Sequence, residues 1–164
     1  MLGPTSPRTP RMATLEMPVS GQSFTSTFLV DQDPDVVFAA INDVRGWWTG
    51  EIEGDTDRLG AEFTYRYEDV HYSKQKITEL VPDERVVWLV EDSYLNFVED
   101  KTEWNGTHIS FDISRKGEQT EVCFTHHGLI PEYECFDACS GAWSFYMKES
   151  LRSFISNGKG AANQ

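Results

Sequence analysis

Between Ser23 and Val30 the chain alternates large apolar with small polar residues until Leu29 and Val30, the period of two that a strand with one buried face requires. Asp33-Pro34 follows as a helix-start signal, an Asp cap with Pro at the first helical position. DVVFAAIND then brings Val37, Phe38 and Ile41 to one helical face. Asp43 to Trp48 predicts a further turn or two of helix, and the glycines of WWTGEIEG return the chain to an extended path. Alternation resumes at Glu62, with Phe63, Tyr65 and Tyr67 on one face and Thr64, Arg66 and Glu68 on the other. SKQKITELV predicts a strand that ends in a turn at Pro82-Asp83. RVVWLVED predicts the next, with Trp88 on the face of Val86 and Val90. GTHISFDIS and TEVCFTHHG form a hairpin about Lys116-Gly117-Glu118. Ile109, Phe111 and Ile113 share one face of the first strand, and Val122, Phe124 and His126 share one face of the second. From Pro131 a helical stripe of Phe136, Cys139, Trp143, Met147, Ser150, Leu151 and Phe154 runs to a stop at Asn157-Gly158.

The opposite side of that last helix carries Glu132, Glu134, Lys148, Glu149 and Arg152, so its apolar stripe must bury against the sheet. The element order predicts an α+β domain: a curved antiparallel sheet of six to seven strands around a long C-terminal helix, with two short helices after the first strand. A curved sheet cannot follow a straight helix along its whole length. A gap opens, and large side chains fill it or line it.

The domain is expected over 23–158, with a disordered leader at 1–22 and a flexible tail at 159–164. Met12 and Met17 stand as alternative starts to Met1, because nothing before Phe24 carries a folding pattern. No run of apolar residues is long enough for a membrane span. Acidic residues outnumber Lys and Arg by 27 to 14, giving a net charge of -13 and arguing against nucleic acid or an anionic membrane as partner. Three cysteines without framework spacing, Cys123, Cys135 and Cys139, point to a reducing, cytoplasmic setting.

Candidate chemistry lies in the aromatics. Tyr65, Tyr67, Trp88, Phe111, Trp143 and Met147 are expected to line the space under the helix, with tyrosine hydroxyls orienting a bound molecule. Trp47 and Trp48 either gate the cavity mouth or plug the core. His126 and His127 are adjacent on a strand and point to opposite faces, so they cannot share one metal. His126, on the apolar face, serves either as a polar group or general base in the cavity or as a structural hydrogen bonder. Cys135 and Cys139 share a helical face, but two further metal ligands are not identifiable, so they read as structural thiols. Glu51, Glu53, Asp55 and Asp57 read as a solvated loop, and Tyr94, Leu95 and Phe97 as an apolar lid or a partner surface. No cofactor or metal motif is present.

Three segments, FLVDQDPDVVFAAINDVRGWW, KITELVPDERVVWLV and FTHHGL with the GAWSFYMKESLRSFISNGKG stripe, resemble the SRPBCC (START-like) superfamily, and within it the heat shock protein 90 ATPase activator homologue (AHSA-type) C-terminal-like family. The resemblance covers roughly Phe24 to Gly158 and implies the helix-grip fold of START-like and Bet v allergen-like proteins. Three functions are open, the first resting on the aromatic-lined faces and the lack of any nucleophile, phosphate loop or metal motif. The leading expectation is a carrier or sensor of a small apolar or aromatic molecule, monomeric or homodimeric. The alternatives are a chaperone-facing interaction module and a cyclase-like or hydrolase-like enzyme using His126.

Overall fold

The alternating segments pair into one antiparallel sheet. In the computed structural model, which describes residues 23–48 and 50–158, the strands are β1 (Phe24–Val30), β2 (Glu51–Gly54), β3 (Glu62–Tyr67), β4 (His71–Val81), β5 (Arg85–Leu95), β6 (His108–Lys116) and β7 (Gln119–His127). Their order is β1-β7-β6-β5-β4-β3-β2. Strands β2 to β7 are consecutive neighbours. Only β1 joins out of turn, against β7, while α1 (Pro34–Asn42) and a 3-10 turn (Val44–Gly46) carry the chain across to the other edge. The chain closes with α2 (Phe136–Phe145), a π-helical stretch (Tyr146–Leu151) and α3 (Arg152–Asn157), which together form one long helix on the inner face of the sheet. This is the helix-grip α+β fold. The expected leader at 1–22 and tail at 159–164 lie outside the described residues.

Two local expectations need correction. The acidic stretch after Trp48 is not wholly a loop, because Glu51–Gly54 forms the edge strand β2, with Ile52 opposite Tyr65. Glu51 and Glu53 are exposed there, and charges on an edge strand discourage pairing with another chain. The closing helix begins at Phe136 rather than Pro131, and its start is set from a distance. Glu103 accepts the backbone N–H groups of Glu134 at 2.9 Å and Cys135 at 3.1 Å, pairing donors that a helix end leaves open.

The π-helical stretch follows from the spacing of the buried residues. Cys139, Trp143, Met147, Leu151 and Ile155 recur every fourth position and are all buried. At 3.6 residues per turn each such step overshoots by about 40°, so the stripe would wind roughly 160° around a regular α-helix. The wider turn of the π-helical stretch takes up much of that drift and keeps the stripe on the sheet. It also puts Ile155 in the core where the regular period predicts Phe154, leaving Phe154 half-buried against the 3-10 turn. Ser150, the one polar member of the stripe, donates to the carbonyl of Trp47 at 2.6 Å and ties the helix to that turn.

Phe154 packs directly over Gly46, where an added Cβ would stand 2.3 Å from the ring Cζ. Gly46→Ala is expected to cost ~1–3 kcal/mol by overpacking, and much less when Phe154 is already Ala. Urea unfolding of the single and double variants measures this coupling. Equal costs in both backgrounds would show that the ring does not hold the turn.

Candidate functional site

The sheet and helix part company at one end. Strand β5 pairs with β6 only from Arg85 to Leu89, and the β4–β5 ladder shifts register between Lys74 and Gln75 and again between Ile77 and Glu79. Such irregularities bend the two longest strands, carrying the His71 and Leu95 end away from the helix. A cavity of about 280 Å3 opens there, walled by the ends of β3 and β4, the segment after β5 and the first turns of α2. It is lined by Tyr65, Tyr67, Val70, His71, Phe97, Trp104, Ala138, Cys139, Ala142, Trp143 and Tyr146. On the helix side Ala138 and Ala142 leave the room, and among the described residues no Asp, Glu, Lys or Arg stands in the wall.

Of the residues expected at a site, Tyr65, Tyr67 and Trp143 meet around this cavity. Trp48 stands behind the wall, its ring stacked on Tyr65 at 3.9 Å with planes 10° apart. Trp47, Trp88, Phe111 and Met147 are fully buried in the solid part of the interior, where Trp47 and Trp88 lie parallel at 6.4 Å and both meet the Phe111 ring edge-on. These residues face inward as the strand period requires, but the buried helix stripe covers that part of the sheet. The Trp47-Trp48 pair is not at the mouth, where Tyr67 and Phe97 are partly exposed.

His126 also lies behind the wall, completely buried. The Trp143 indole N–H donates to its Nδ1 at 3.1 Å, which leaves the proton on Nε2 to donate to Thr107 Oγ1 at 2.8 Å. Thr107 in turn donates to the Trp104 carbonyl at 2.6 Å. Both ring nitrogens are occupied, so the geometry gives His126 a structural task instead of general-base catalysis. Burial, reinforced by His127, His71 and His108, lowers its pKa to about 3.

His71 is the imidazole that does face the cavity. Its Nε2 lies 3.3 Å from Ser73 Oγ, and its ring meets Trp104 edge-on at 4.5 Å and Tyr65 at 5.1 Å. Burial lowers its pKa to about 4, so the ring is neutral at physiological pH. Burial, with the hydrogen-bonding Tyr146 hydroxyl second, also pushes the Tyr65 phenol well above its ordinary range. The Cys135 thiol is raised first by the adjacent Cys139 thiol and then by burial. His71 and Tyr65 in the wall, and Cys135 behind it, are thus held in their neutral forms.

Periodicity alone does not reveal Trp104, His71 or Tyr146 as wall residues. Trp104 sits in an irregular segment with no period to read, and His71 begins its strand one step beyond the clear alternation. Tyr146 is three residues after Trp143 at the π-helical turn. Phe97 belongs to the segment expected to be a lid or partner surface, and it does stand at the mouth, whereas Leu95 is buried and Tyr94 is exposed. Among the described residues no group of three or more His, Cys, Asp or Glu is placed to hold a metal ion, and no helix is long and apolar enough to cross a membrane.

A seven-stranded antiparallel sheet gripping a long C-terminal helix defines a START-like, SRPBCC-type protein. The chain belongs to the family described as activator of Hsp90 ATPase homolog 1-like protein, whose model matches residues 31–156. It is similar to the Aha1 dimer from Colwellia psychrerythraea, whose solution structure matches with 25% identity and a TM-score of 0.68 over 84% of this chain and 98% of that one. Mll3558 from Rhizobium loti matches with 18% identity and a TM-score of 0.61 over 77% of this chain and 92% of that one. CalU16 from Micromonospora echinospora matches with 18% identity and a TM-score of 0.59 over 83% and 77%. The last two show the fold alone. No curated protein matches the chain.

Both imidazoles bind a proton near 6.5 when free but resist until about 4 (His71) and about 3 (His126) in the folded chain. The unfolded state therefore takes up more protons below 6.5, and stability falls as the pH drops from there. Burial lowers the His127 pKa as well, so denaturant unfolding across this range should show a slope of at least about two protons, and His71→Gln should reduce it by about one. A flat profile below 6.5 would contradict the burial of both rings.

Proposed function

We propose that the chain binds a small, uncharged, flat aromatic molecule in this cavity, as a carrier or sensor. One observation carries the reading: an opening of about 280 Å3 whose wall is aromatic and without formal charge, kept open by Ala138 and Ala142. Tyr67 and Phe97 expose ring surface at the mouth, and Trp104, Trp143 and Tyr65 back the wall behind them, so a flat ring entering the opening packs against aromatic groups. His71 and the Tyr65–Tyr146 hydroxyl pair supply hydrogen-bonding atoms that orient a hydroxyl or carbonyl without demanding a charge. The engagement of both His126 nitrogens favours binding over proton transfer.

The likeness to a dimeric relative supports a second copy of the chain as partner, and the family description supports a chaperone-facing role as the alternative. Free thiols at Cys123, Cys135 and Cys139 support a reducing, cytoplasmic setting. Sedimentation of the purified chain should show a dimer, and chaperone ATPase rates with and without the chain test the alternative.

Because Trp104 and Trp143 form part of the wall, their fluorescence reports occupancy. Titration with 2-naphthol should quench it saturably. Ala142→Trp, at an exposed helix position, should fill the cavity and weaken binding by at least about tenfold while leaving the circular dichroism spectrum unchanged. Unaltered naphthol affinity in that variant would remove the cavity as the binding site.

A further inference from the structure

We infer that the helix wall of the cavity carries a thiophilic subsite, in which Cys139 and Cys135 together take a trivalent arsenic centre borne on an aromatic ring. The inference rests on the cavity being a ligand site. Cys139 lines the cavity, and its backbone N–H donates to the Cys135 carbonyl at 2.7 Å, so the two residues stand one helical turn apart on the same face. Both are free and buried, at 5% and 1% exposure, and their thiols are hydrogen-bond neighbours. The third cysteine is elsewhere: Cys123 sits on β7 opposite Asp112 and Thr27, with its sulfur 3.7 Å from Thr25 Oγ1.

The surroundings select among soft ligands. A structural zinc site needs four ligands and ionised thiols, and the described residues offer no third donor of the usual kind. A wall without cations also disfavours a pair of buried thiolates. Trivalent arsenic with one aryl substituent has the opposite requirements. It bonds two sulfurs and one carbon, the product is neutral, and neutral thiols are the reactants. Phenylarsonous acid would condense with the pair by breaking both As–OH bonds and forming two As–S bonds. Each thiol proton leaves with a hydroxyl as water, and arsenic stays trivalent. The second As–S bond is intramolecular, so the pair outcompetes monothiols through effective concentration. The phenyl ring then lies in the space bounded by Trp104, Trp143 and Ala142.

The experiment titrates the full chain with phenylarsonous acid in excess glutathione, reading Trp fluorescence and intact mass, with arsenite as the ring-free comparison and 2-naphthol run in parallel. Wild type should take up one equivalent that a small 1,2-dithiol removes. Cys135→Ser and Cys139→Ser should each weaken uptake by at least about tenfold, as should Ala142→Trp with both thiols intact, while Cys123→Ser changes nothing. Arsenite should bind at least about tenfold more weakly than the phenyl compound. Unchanged circular dichroism spectra and urea midpoints of the Cys→Ser variants confirm that they are folded. If naphthol binds wild type but the arsenical does not, or if Cys139→Ser retains full uptake, the subsite is overturned and the cavity reading stands. If naphthol fails on wild type and Ala142→Trp takes up the arsenical normally, both are overturned.

Discussion

The indole N–H of Trp143 is buried where no water reaches it, and its pairing with His126 Nδ1 sets how the helix sits on the sheet. A buried donor left unpaired costs roughly 1–3 kcal/mol, so the helix cannot slide or roll at this level without losing the bond. The constraint extends beyond one pair. His126 donates its Nε2–H to Thr107, and Thr107 donates to the carbonyl of Trp104, so α2, β7 and the segment after β5 are joined by three successive hydrogen bonds. These elements include two walls of the cavity, Trp143 and Trp104. The imidazole that resembles a catalytic base is spent on holding them apart at a fixed distance.

The long helix meets the sheet differently along its length. From Met147 to Ile155 the π-helical stretch keeps the four-residue stripe turned inward, Ser150 ties it to Trp47, and Phe154 covers Gly46. That half is solid, with the stacked Trp47, Trp48 and Trp88 beneath it. Toward its N-terminus the helix presents Ala138 and Ala142, the sheet bends away, and Glu103 fixes the backbone from outside the helix. One element thus clamps at one end and walls a cavity at the other.

The strands and their inward faces were legible because a period of two assigns each side chain to a face without knowledge of its partners. Phe63, Tyr65, Trp88, Ile109, Phe111, Val122, Phe124 and His126 all face inward as that period requires. The helix-grip fold was legible from the element order. The place of the hollow was not, since it depends on which end of the β4–β5 ladder shifts register and on how the segment holding Trp104 folds back. Neither leaves a periodic trace. Residues on one inward face therefore divide between a packed interior, holding Trp88 and Phe111, and an open wall, holding Tyr65, and alternation cannot separate the two. The four-residue helix stripe was visible in Cys139, Trp143, Met147 and Leu151, but its continuation to Ile155 required the π-helical turn.

Discrimination against an anionic guest follows from two features acting at different ranges. The chain carries a net charge of -13, which repels anions at a distance. Close in, the described wall residues supply no cation to offset the desolvation of an anion, so an anionic guest loses hydration without compensation. Protonation of His71 would change this balance, but its lowered pKa keeps it neutral until the medium is strongly acidic. Aromatic shape and a single polar group remain as the terms by which guests are distinguished. A flat molecule that packs against the aromatic wall while reaching His71 or the Tyr65–Tyr146 pair satisfies both, whereas a saturated molecule of equal volume fills the space but forgoes the ring contacts.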